Sequence, residues 1–140
     1  MKHAFVFYGS LMDSALTSRV CGCDPVKTET GFFHGTLFEV NDRTEPNNIY
    51  RYPLAVLGDV SSLIVAKFKV FVLSKCELRE MQVRLMDFEG PLYEPKQVEF
   101  WGSGNLSKYG WAFVATSEIN VEEDSRIQPI APVANVYSWK

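Results

Sequence analysis

Phe5-Val6-Phe7-Tyr8-Gly9-Ser10-Leu11 is an apolar run, rich in aromatic and β-branched residues, that stops abruptly at a glycine. Such a run reads as a buried strand, and the Gly-Ser step that ends it reads as a tight turn. Asp13 or Ser14 is placed to cap a short helix over Asp13–Val20. Backbone N–H groups at the end of such a strand lose their ladder partners. Where they converge they form a cradle for a carboxylate or a phosphate. The same pattern also fits an ordinary strand-to-helix turn, and the local residues leave both readings open.

A length of 140 residues suits one domain, 1–140, and 46% hydrophobic residues suffice for a packed core. The net charge is −3, from 14 basic and 17 acidic residues without a basic stretch, which argues against nucleic acid or an anionic membrane as a partner. Three cysteines include the close pair Cys21 and Cys23, but His3 and His34 lie far from both. This spacing points to reduced thiols in a cytoplasmic protein rather than a zinc site. The opening run is too short and too soon interrupted for a signal peptide. The most apolar internal stretch, Leu63–Leu73, is broken by Lys67 and Lys69, so no transmembrane helix is expected.

Along the chain, Gly22–Glu29 is a polar segment and Gly31–Val40 reads as one strand, straight or bent. Asn41–Asn48 collects Asn, Asp, Glu and Pro and is expected to be a loop. Tyr50–Leu57 is extended, Gly58-Asp59 marks a turn, and Leu63–Leu73 is the best strand in the chain. Ser74-Lys75-Cys76-Glu77 has the capping-box pattern, predicting a helix to about Leu85 with Leu78, Met81 and Leu85 on one face. Leu92–Trp101 and Lys108–Thr116 read as strands about a turn at Gly102-Ser103-Gly104-Asn105, with Trp111, Phe113 and Ala115 on one side of the second. Residues 117–140 are expected to be a tail that docks through Val136, Tyr137 and Trp139. The fold class is α+β: a curved sheet or small mixed β-barrel with about two helices.

Phe88-Glu89-Gly90-Pro91 stands between that helix and the next strand. A glutamate held part-buried at such a boundary has its carboxyl pKa raised by desolvation, which suits it to move protons near neutral pH. Asp87 is the rival carboxylate, and a solvated loop acid is the alternative reading.

Taken together, these segments resemble the γ-glutamylcyclotransferase-like proteins, which include γ-glutamylamine cyclotransferase and the plant AIG2-like proteins. The shared features are Tyr8-Gly9-Ser10-Leu11, Gly35-Thr36-Leu37, Tyr52-Pro53, Leu85 with Phe88-Glu89-Gly90-Pro91-Leu92-Tyr93, and the aromatic strand Trp111–Val114. Their order and spacing over Ala4–Thr116 carry the resemblance, each motif being weak alone. It implies a small barrel with helices outside and a pocket at one mouth. It also implies that the amides of Gly9, Ser10 and Leu11 hold the α-carboxylate of a γ-glutamyl substrate, with Tyr8 as a wall or hydrogen-bonding partner and Tyr93 beside them. Glu89 takes the position of the catalytic glutamate. The implied reaction closes a γ-glutamyl amine or peptide into 5-oxoproline and frees the amine, with no metal or organic cofactor.

The chain departs from the family pattern at three places. Met86 stands where an aspartate is common, with Asp87 beside it. Pro95 replaces an arginine, and Phe113 replaces a tyrosine. These changes motivate a second reading, a pocket that binds a small amino-acid-like ligand or a partner's acidic terminus without turnover. A third reading takes Tyr137 and Trp139 as exposed aromatic anchors for a protein partner.

Overall fold

The computed structural model describes residues 1–45, 48–104 and 106–139. The chain begins with β1 (Lys2–Phe7), a single 3-10 turn (Ser10–Met12) and α1 (Ser14–Cys21). Four strands follow: β2 (Lys27–His34), β3 (Thr36–Glu45), β4 (Asn48–Val56) and β5 (Leu63–Val72). After α2 (Lys75–Glu89) come the hairpin strands β6 (Tyr93–Trp101) and β7 (Ser107–Ala115), then the short β8 (Ile127–Pro129) and β9 (Val136–Tyr137). Asn105 of the expected hairpin turn lies outside the described residues.

Five strands close on themselves in the order β1-β7-β6-β2-β5, because β5 pairs back to β1 along Lys2↔Val72 to Phe7↔Lys67. The barrel is mixed: β1 runs parallel to β7 while the other barrel pairings are antiparallel. Closure removes the exposed edges that an open sheet of this size would present. It also explains the unbroken apolar run in β1. Val6 and Tyr8 point into the barrel among Phe33, Ile64, Phe68 and Phe100, whereas Phe5 and Phe7 point outwards to Leu11, Met81 and Leu85. A strand buried on both faces needs no polar alternation.

Both helices cover that outer face. Asp13 caps α1 by accepting from Leu16 N at 2.9 Å. Ser74 and Glu77 form the capping box on α2, with Ser74 N donating to Glu77 Oε1 at 3.0 Å and Glu77 N to Ser74 Oγ at 3.2 Å. Met81 and Leu85 are buried, as the helical spacing requires. The helix runs a full turn beyond the expected end at Leu85, so Glu89 is its last residue.

A second sheet, β4-β3-β8, stands against one end of the barrel around Val40, Leu54 and Ile127. Here two expectations are corrected. Gly31–Val40 is not one strand: the chain breaks at Gly35, leaving β2 in the barrel and β3 in the second sheet. Asn41–Asn48 is not a loop, because β3 continues through Asn41↔Arg51 and Asp42↔Tyr50 to Glu45↔Asn48, with a bulge between Asp42 and Glu45. Pro46 and Asn47 of that segment lie outside the described residues. Its polar composition belongs to the arm of a hairpin, held by a ladder to a strand that local reading does not see. Pro53 is accommodated because β4 is the edge of its sheet.

The tail returns to both sheets. β8 pairs with β3, and β9 adds to β5 in parallel beyond the end of β1. Tyr137 is buried in the barrel core and Trp139 packs against it, which removes the reading of this pair as exposed anchors.

Candidate functional site

A cavity of about 360 Å³ opens where β1 leaves the barrel and α2 meets β6. That volume is within the range of small-molecule sites. Tyr8, Gly9, Ser10 and Leu11 line one side, Phe88, Glu89, Gly90 and Pro91 another, and Tyr52, Pro53, Tyr93 and Phe113 close the rest. Met12 N donates to Gly9 O and Asp13 N to Ser10 O, which builds the 3-10 turn. The amides of Gly9, Ser10 and Leu11 precede those bonds, and the first N–H groups of a helical turn have no acceptor within it.

Two glycines are required by geometry. A Cβ on Gly9 would stand 2.7 Å from Cγ of Pro53, so only glycine lets β4 approach this turn. Gly90 has φ +87° with an extended ψ, a backbone conformation that side chains other than glycine rarely adopt, and it ends α2 and sends the chain through Pro91 into β6. Its N–H still closes the helix by donating to Met86 O at 2.9 Å.

Burial pushes the Glu89 carboxyl up to about 7. The last residue of a helix also faces the negative end of the helix dipole, which disfavours a carboxylate in the same direction. Among the described residues no donor reaches this carboxyl to offset its desolvation.

The two tyrosines beside Glu89 serve the backbone. The Tyr8 hydroxyl donates to Phe113 O at 2.6 Å and accepts from Ala55 N at 3.1 Å. The Tyr93 hydroxyl donates to Pro53 O. Burial, reinforced by neighbouring negative charge that includes Glu89, keeps both phenols protonated well above the usual range. Together they fasten β4 across the mouth of the barrel and make Tyr52 and Pro53 the outer wall.

All six residues singled out in the sequence, Tyr8, Gly9, Ser10, Leu11, Glu89 and Tyr93, line this one cavity. Phe113 lines it as well, with a phenyl ring where a hydroxyl is common in the family pattern. Met86 and Asp87 lie on the exposed side of α2, and Pro95 is exposed in β6 opposite Phe113. Sequence reasoning missed Phe88 and the roles of Tyr52 and Pro53. The Tyr52-Pro53 step was a visible signal, but its place in the wall depends on the tertiary approach of β4. Among the described residues, no group of three His, Cys, Asp or Glu side chains is placed to hold a metal ion.

The fold has solved counterparts. A γ-glutamyl cyclotransferase superposes with a TM-score of 0.61 over 83% of this chain and 68% of its own, at 8% sequence identity. An Arabidopsis thaliana protein solved in solution gives 0.59 over 89% of this chain and 75% of its own, at 18% identity. A second solution structure from that plant gives 0.51 over 82% and 62%, at 19% identity. No protein-family model and no curated protein sequence matches the chain.

Proposed function

Because the chain has the γ-glutamyl cyclotransferase-like fold, we propose that it cyclises a γ-glutamyl amine or γ-glutamyl peptide to 5-oxoproline and releases the amine. The observation that carries this reading is Glu89: a carboxyl raised to about 7 by burial, lining the same cavity as the Gly9–Leu11 turn.

The substrate supplies its own nucleophile, so most of the rate advantage of proximity comes from holding it folded. The amides of Gly9, Ser10 and Leu11 take the α-carboxylate, which fixes the α-nitrogen relative to the γ-carbonyl. Glu89, as carboxylate, takes a proton from the α-ammonium. The freed amine attacks the γ-carbonyl carbon, and the new C–N bond closes the five-membered ring. As the tetrahedral intermediate collapses, the C–N bond to the leaving amine breaks, Glu89 returns its proton to that nitrogen, and the ring nitrogen sheds its second proton, which the departing amine, the stronger base, takes up as an ammonium. One group with a pKa near neutrality performs both transfers. Tyr8, Tyr93 and Phe113 act as walls, since both phenols are engaged with backbone.

The test is 5-oxoproline release from γ-glutamyl-alanine, γ-glutamyl-ε-lysine and glutathione, with Glu89→Gln alongside. Release from at least one compound is expected, rising with pH to a plateau above about 7 as Glu89 ionises, and at least about a hundredfold slower in the variant. Normal release by Glu89→Gln would remove Glu89 from the chemistry. A folded protein that neither releases nor binds 5-oxoproline would overturn the assignment.

A further inference from the structure

Lys69 is fully buried, yet it belongs neither to the barrel interior nor to the cavity. On β5, Ile64, Ala66 and Phe68 point into the barrel, and Lys69 points out beneath α1. Its Nζ donates to Met12 O at 3.2 Å and to Thr17 Oγ1 at 2.8 Å. Thr17, also fully buried, places the same hydroxyl 2.6 Å from Leu11 O and 2.8 Å from Asp13 O. Among the described residues no carboxylate forms an ion pair with Lys69. Burial, with Lys67 adding to it, lowers the Lys69 pKa, while Cys21 and Asp13 act in the opposite direction.

A buried ammonium without a carboxylate is expensive, and a methionine would fill the space without that cost. The groups that Lys69 holds are therefore informative. They are the carbonyl of Met12 and, through Thr17, that of Leu11: the rear of the turn whose front lines the cavity. A cation on these carbonyls polarises the peptide units whose N–H groups, on Met12 and Asp13, donate to Gly9 O and Ser10 O, and through those bonds it raises the potential at the Ser10 and Leu11 amides, in a medium that screens poorly.

We infer that Lys69 is a positioning residue that sets the preference of the Gly9–Leu11 turn for an anionic ligand, acting through the carbonyls of Leu11 and Met12. The inference rests on the γ-glutamyl reading of the cavity. It adds that the carboxylate is selected by a charge behind the turn as well as by the amides in front.

The experiment is calorimetric titration of 5-oxoproline and of its neutral carboxamide into the intact protein, Lys69→Met and Thr17→Val. The ratio of the two affinities is the readout, because a merely slackened turn weakens both ligands alike. The wild type is expected to favour the carboxylate, and Lys69→Met to lose at least tenfold of that preference while its affinity for the carboxamide stays within about threefold. A preference that survives in Lys69→Met overturns the role of Lys69 and leaves the γ-glutamyl reading intact. A wild type that binds neither compound overturns the γ-glutamyl reading itself. If Lys69→Met does not fold, Thr17→Val decides. Removing the hydroxyl that links Lys69 to Leu11 is expected to lower the preference about threefold, and an unchanged ratio counts against the inference.

Discussion

A glutamate from a neighbouring element stands at each end of the β6–β7 hairpin, and the two are treated in opposite ways. Beyond its turn, Glu29 of β2 accepts from Lys108 Nζ at 2.6 Å and from Ser103 N at 3.1 Å. The Lys108 hydrogen bond holds its carboxyl below the usual range. At the open end, Glu89 lines the cavity with no donor among the described residues in reach, and burial lifts it to about 7. Glu29 is a carboxylate built to stay charged. Glu89 is one whose charge is costly, and that is the condition under which a carboxyl both gives and takes a proton near neutral pH. Identical side chains thus come to opposite charge preferences by whether fixed donors replace the lost water, and the proposed chemical role of Glu89 rests on that difference.

The largest expected effect tests that separation directly. General acid–base catalysis is worth about 10²–10⁴-fold, so Glu89→Gln is expected to lower kcat by that factor while 5-oxoproline binding is retained. Glu29→Gln is expected to leave kcat unchanged. Equal losses in the two variants would mean that the difference in environment has no catalytic meaning.

Stability as a function of pH sharpens the contrast, because the two carboxyls pull in opposite directions. The folded-state pKa of Glu89 is raised from 4.5 to about 7. Between those values the native protein holds a proton that the unfolded chain has released, so its contribution to stability falls as pH rises. The loss amounts to about 3 kcal/mol at most by pH 8, at about 1.4 kcal/mol per pH unit. Glu89→Gln abolishes this slope, and denaturant melts should show the variant gaining on the wild type between pH 5 and pH 8. Glu29 has a lowered pKa. Its contribution is present above the ordinary glutamate pKa and is lost as pH falls through the folded value, so Glu29→Gln should fall behind the wild type near neutrality and approach it in acid. Slopes of the same sign in the two variants would contradict the assigned environments.

Most of what was legible in the sequence is local chemistry. The opening strand that stops short of Gly9, the Asp13 cap and the Ser74–Glu77 capping box each depend on residues within a few positions, and each is present in the structure. What was not legible depends on contacts made across the chain. The Asn41–Asn48 segment is extended because it pairs with β4. The wall made by Tyr52 and Pro53 exists because Tyr8 and Tyr93 bind the backbone of β4. Lys67 and Lys69 read only as breaks in an apolar run, and nothing in their spacing says that α1 covers Lys69 and buries it. The family resemblance ties Tyr8–Leu11 to Glu89 across a long separation that periodicity cannot bridge, and the structure brings these residues to one cavity.

The smallest expected effect concerns two tyrosines placed like the two glutamates. Tyr8 at the cavity end bridges Phe113 O and Ala55 N, both within buried residues. Tyr109, on β7 towards the other end, reaches Glu99 Oε2 at 2.8 Å on an exposed surface. Tyr8→Phe leaves a buried N–H and a buried carbonyl without their partner, which costs about 1–3 kcal/mol. It also removes one of the two tyrosine hydrogen bonds that hold β4 at the mouth, so a rise in KM should accompany the lower melting temperature. Tyr109→Phe exposes its former partner to water, which replaces the bond, and no measurable change is expected in either quantity. If the two variants melt together, the hydroxyl of Tyr8 does not fasten β4, and the outer wall of the cavity is held by Tyr93 and by packing.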